Sequence, residues 1–159
     1  TLVGVPDSAQ SDIGIRLRQG TAGHIRNSVV LGFNDTCLDV DHEQTWNHVE
    51  SGELSLSRVL LSCAEPFGVL DAEDDPPGSD VGDWFATGDG NQVVDPLLSD
   101  PFDPTIPDFS PNAGSPCIGA GVAPDDPWFE DVDFLGAVDP DDDWIQQGME
   151  AGWIQLPTD

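Results

Sequence analysis

The sequence predicts an all-β chain, a short stack of two to three coils of parallel strand followed by a loop-rich closing segment. Three observations predict it. Apolar and polar residues alternate in short runs through the first half, the runs recur at spacings of two to three dozen residues, and 13 of the 14 prolines lie after residue 65.

The alternation comes first. Ile13, Ile15 and Leu17 alternate with Gly14, Arg16 and Arg18; Leu38 and Val40 alternate with Asp39 and Asp41; Leu54 and Leu56 alternate with Ser55 and Ser57. A period of two turns one face inward and one outward. Residues 20–23 and 32–35 separate the runs as Gly-containing turns. The recurrence supplies the stacking. Ile15-Arg16-Leu17-Arg18 matches Leu38-Asp39-Val40-Asp41 at an offset of 23, and residues 27–33 match 57–63 at an offset of 30. The longer offset is assigned to Asp41–Ser51, a polar stretch read as a loop inserted between coils. The reading therefore places parallel coils over residues 1–70 and an acidic Pro-, Asp- and Trp-rich cap over 71–159, packed on the end of the stack as one structural unit. Proline removes a ladder donor and restricts the residue before it, which makes regular strand scarce in the cap. Asp143–Trp153 fits a helical turn or two, limited by Gly148 and Gly152.

Charge excludes several functions. With 31 acidic residues against four arginines and no lysine, the net charge is −27. Such a surface repels nucleic acid and anionic lipid, and no apolar run approaches the ~20 residues of a membrane span. It attracts divalent cations. No signal peptide is visible, so an export signal is expected upstream of Thr1 or already removed. The three cysteines form no C-x-x-C motif, which argues against zinc, redox or haem chemistry.

Two stretches carry a family likeness. Residues 15–21 and 26–33 resemble the last coils of bacterial secreted right-handed parallel β-helix proteins of the pectin-lyase-like class. Asp95–Pro101, Pro107-Asp108-Phe109, Gly114–Gly121, Asp133–Ala137, Asp143-Trp144 and Gly152-Trp153 resemble their closing segment. The resemblance implies a secreted, extracellular or cell-surface location and says little of activity, because such coils serve lyases, adhesins and structural proteins. The polygalacturonase pattern is absent, since Gly23-His24-Ile25 lacks its second glycine.

The leading expectation is a non-catalytic structural protein acting through assembly or surface contacts, with no catalytic residue. The alternative is the C-terminal part of a carbohydrate-binding or carbohydrate-cleaving protein whose active coils lie upstream. Arg16 and Arg18 are expected to form a charge ladder with Asp39 and Asp41 on the outer face. Asp71, Glu73, Asp74, Asp75, Asp89, Asn91 and Asp95 are candidate ligands of a structural Ca²⁺, the one cofactor considered. His42 and His48 are read as solvated loop residues. Either Cys37–Cys63 or Cys63–Cys117 suits the corner, and the packing residues around Cys117 favour the latter. Trp84, Trp128, Trp144 and Trp153 are expected to seal the lower end. The upper end, at Leu2, Val3 and Val5, is expected to be covered by upstream coils or a protein neighbour, in the latter case building a filament.

Overall fold

The computed structural model describes residues 1–71 and 73–155. Its strands are β1 (Leu2–Val3), β2 (Ile13–Leu17), β3 (Gly23–Leu31), β4 (Thr36–Val40), β5 (Leu54–Ser62), β6 (Gln92–Val93), β7 (Leu98–Asp100) and β8 (Asp108–Pro111). Its helices are α1 (Glu43–Ser51), α2 (Val81–Thr87) and α3 (Trp144–Glu150). The expected all-β parallel β-helix is thereby corrected. Among the described residues the architecture is mixed α/β, built from three small separate sheets, and no sheet closes or winds into a continuous solenoid.

Parallel pairing joins β1-β3-β5-β6 in one sheet and β2-β4 in another, while β7 and β8 pair antiparallel. Ile15 lies opposite Leu38 and Arg16 opposite Asp39, so the 23-residue spacing is a true register. The 30-residue spacing is not. Gly23 pairs with Leu54 and Val29 with Leu60, an offset of 31. Asn27 and Arg58 occupy the unpaired level of this ladder, between Arg26/Ser57 and Ser28/Val59, and both adopt positive φ (48° and 55°), so both strands bend there.

The bend also explains why Val29, Val30 and Leu31 are all buried. Val30 faces one core with Leu17, Leu38, Val59 and Leu61. Val29 and Leu31 face a second core with Leu60, Cys117 and Leu135. The four-stranded sheet is thus covered on both faces, on one side by β2 and β4 and on the other by the closing segment. A strand buried on both faces reads as a continuous apolar run. The closing segment is pinned at the bend: Asn27 exchanges hydrogen bonds with Val122, and the Arg58 guanidinium donates to the Ala120 carbonyl at 3.0 Å.

The stretch read as an inserted loop is helix α1. Thr45 and Trp46 are its buried face, and Gly52 in the left-handed conformation (φ 77°) ends it. Helix α2 starts at Asp80, whose carboxylate accepts the Asp83 N–H at 2.7 Å. It delivers Val81 and Phe85 to the first core.

Candidate functional site

The charged cluster on β2 and β4 differs from an exposed ladder. Asp39 and Asp41 are buried, and Arg16 serves both, with Nε 3.2 Å from Asp39 and the guanidinium against Asp41. Arg18 pairs with no carboxylate among the described residues; its backbone N–H bonds to Thr21. The expected ladder holds for Arg16, opposite Asp39 on the adjacent parallel strand, and is corrected in two respects: Arg18 takes no part, and the carboxylates are sunken, with a single guanidinium shared between them. β4 lies between β2 and the following chain at Phe67, which takes its side chains out of water.

Burial, then the Asp41 charge, pushes the Asp39 carboxyl above its ordinary value; Arg16 opposes this and Asp75 adds to it. A raised carboxyl stabilises the fold below the unfolded-chain value of about 3.9, and that contribution is lost as pH rises through the native value. Asp39→Asn stays neutral throughout. It is expected to gain most over the parent protein near neutral pH, the advantage shrinking as pH falls toward about 4. Urea midpoints at both ends of that range check the sign, and a gap that widens in acid refutes it.

The proposed Ca²⁺ ligands are engaged with the protein's own groups. Asp75 is buried and accepts hydrogen bonds from His42 N (2.7 Å), Trp46 Nε1 (3.2 Å) and Asp71 N (2.9 Å). Asp71 caps the Glu73 N–H. The Asp74 carbonyl accepts from Glu43 N, and its carboxylate lies 4.0 Å from His42. Asp89 pairs with Arg58 at 2.8 Å, Asn91 bonds the backbone of Leu56, Val59 and Phe85, and Asp95 accepts from Leu97 N. Among the described residues, no group of three or more His, Cys, Asp or Glu side chains is placed to hold a metal. His42 starts α1 with φ 76°, and His48 pairs with Glu53.

Cysteine pairing is also corrected. Cys37 and Cys63 form the disulfide, and Cys117 is a buried free thiol. The four-stranded sheet explains the choice. Cys37 and Cys63 belong to the first core, whereas Cys117 packs with Val29, Leu31 and Leu60 in the second.

The tryptophans divide. Trp84 packs on the first core, edge-on to Trp46 with ring centroids 6.3 Å apart. Trp128, Trp144 and Trp153 do not seal anything; their exposures are 85%, 44% and 64%. Their presentation is built by local structure. The Asp126 side chain accepts the Trp128 N–H, making a turn that lifts Trp128 off the surface. At α3, Asp143 caps the helix by accepting from Ile145 N and Gln146 N, and the Ser110 hydroxyl steadies that carboxylate at 3.0 Å. Trp144 donates its indole N–H to the Ala137 carbonyl at 2.7 Å. Gly152 (φ 77°) turns the chain back, and Trp153 N and Ile154 N both donate to the Gly148 carbonyl. A side chain at Gly148 would collide with Trp153 and Ile154. The result is a fixed pair of nearly parallel rings, Trp144 and Trp153, at 13° with centroids 6.1 Å apart.

Asp139, Asp141, Asp142 and Glu150 lie in the turn before α3 and at its end, and residues 66–159 contain no Lys, Arg or His. Beside α3, Thr105, Ile106, Gln146, Met149, Glu150 and Ile154 line an open groove of about 590 Å³. No described helix is long and apolar enough to cross a membrane. The chain matches no family model, no curated protein and no solved structure.

Proposed function

We propose that this chain is a non-catalytic extracellular or cell-surface protein that works through assembly and surface contacts. The observation that carries this reading is the pair of leading strands. β1 and β2 are the first strands of the two parallel sheets, and among the described residues neither has a neighbour on its outer side. Leu2 and Val5 beside them are 44% and 61% exposed. An unpaired apolar edge is a template for a further strand. That strand comes from a protein neighbour or from further polypeptide of the same protein. The Cys37–Cys63 bond supports an oxidising compartment. Carbohydrate binding is the competing reading, favoured by the exposed tryptophans.

Hydrogen exchange tests the edge. Amides of Leu2–Gly4 and Ile13–Leu17 are expected to exchange slowly in the protein isolated in its native assembly and faster in the separated chain. Equal rates in both would overturn the reading.

A further inference from the structure

We propose that the Trp144–Trp153 pair is a docking platform for a basic peptide segment. The proposal rests on the surface-contact reading and names one partner chemistry for it.

The rings are left over from folding. Tryptophan is usually well buried, yet these two remain 44% and 64% exposed. The polar need of Trp144 is met internally at Ala137, so its face is free of that duty. Stacking, the Gly152 turn and the Gly148 contact hold the pair in place before any ligand arrives. A preorganised surface loses little entropy on binding.

Charge selects the occupant. An indole face attracts a cation through its quadrupole, and the effect strengthens where carboxylates stand nearby. Asp139, Asp141 and Asp142 closely precede Trp144 in the chain and Glu150 lies three residues before Trp153, with no basic residue anywhere in 66–159. An anionic polysaccharide is repelled by the same field. A second copy of this chain is a poor occupant. It carries −27 and offers only four arginines, of which Arg16 and Arg58 are already committed to Asp39, Asp41 and Asp89. In a stacked pair the inner faces cover each other, so the outer ring faces are the ones left for a cation.

Calorimetry of the whole chain tests this with four probes: an alternating Arg-Ser peptide, a neutral cello-oligosaccharide, polygalacturonate and tetramethylammonium. The peptide is expected to bind, to weaken with salt, and to bind about fivefold less tightly to Trp153→Ala. Asp141→Asn with Glu150→Gln is expected to weaken it as well. Trp128→Ala, remote in sequence, serves as the matched loss of an exposed ring and is expected to leave binding unchanged. Trp153 is exposed, and an unchanged far-ultraviolet spectrum verifies folding of each variant. No peptide binding, binding indifferent to Trp153→Ala, or saccharide binding that Trp153→Ala abolishes would each overturn the proposal. None of these outcomes touches exchange at β1 and β2, so failure here and failure of the broader reading are distinguishable.

Discussion

Asp75→Ala is expected to lower the unfolding free energy by about 2–4 kcal/mol, from the donors it would leave buried without an acceptor. Asp75 is 7% exposed and stands where the chain leaves β5 and passes α1. Its Oδ1 accepts from His42 N and Trp46 Nε1, and its Oδ2 from Asp71 N. The Trp46 ring is itself buried, so its N–H has no route to water when the carboxylate is gone. Each such orphan costs about 1–3 kcal/mol. Asp71 is exposed, and its N–H regains water. One term opposes the loss: the Asp75 charge disfavours ionised Asp39, and removing it relieves that repulsion. The net effect therefore falls short of the sum over donors. Asp75→Asn keeps one acceptor oxygen but turns an amide N–H₂ toward a donor, so an intermediate loss is expected. Denaturant unfolding near neutral pH measures both, and exchange in 43–51 should accelerate because the start of α1 is released. A loss for Asp75→Ala below about 0.5 kcal/mol, the range of ordinary surface substitutions, would refute the anchoring role.

What could be read from the sequence follows from burial geometry. Ile15/Leu17 and Leu38/Val40 alternate cleanly against polar partners, and their offset is the observed register. Val29-Val30-Leu31 and Val59-Leu60-Leu61 do not alternate, because both faces of their sheet are covered. Without alternation a one-residue slip leaves the pattern unchanged, so the sequence matches at 30 where the ladder pairs at 31. The bend at Asn27 and Arg58 has positive φ in both strands, and arginine gives no compositional sign of it. Helices α1 and α2 hid for another reason: at nine and seven residues they are too short for a sustained period, whereas α3 lies within 143–153, the stretch that reads as a helical turn or two. Trp46 and Val49 three apart before Gly52, and Asp80 three before Asp83, were the available signals. The tryptophans could not be sorted. Trp84 and Trp144 both follow aspartate, yet α2 turns one into the core and the Ala137 bond holds the other at the surface. The carboxylates read as Ca²⁺ candidates cluster along the chain, and the bonds most of them make to backbone N–H groups or Arg58 have no sign in the sequence.

Replacing both Cys37 and Cys63 with alanine is expected to cost about 3.5 kcal/mol, from the loop entropy released when a bridge of this span is cut. The bond joins residues 26 apart, from the start of β4 to just beyond the end of β5. It ties the two parallel sheets around the first core, where Cys37 is fully buried. Without it the unfolded chain regains the closure entropy of that loop, while the native contacts of Val30, Leu38 and Leu61 persist. For a chain of this length the loss lowers Tm by on the order of 10 °C. Dithiothreitol should reproduce the shift in the parent protein and leave the double variant unmoved. Thiol labelling separates this pairing from its rival. Cys117 has no solvent exposure, and burial pushes its thiol above the ordinary value, so it should resist alkylation in the folded protein. In denaturant without reductant it should take up a single equivalent of label, and non-reducing peptide maps should link Cys37 to Cys63. A Cys63–Cys117 peptide would mean that the closing segment packs on the other face of the β3–β5 sheet. The second core of Val29, Leu31, Leu60 and Leu135 would then have to be dismantled.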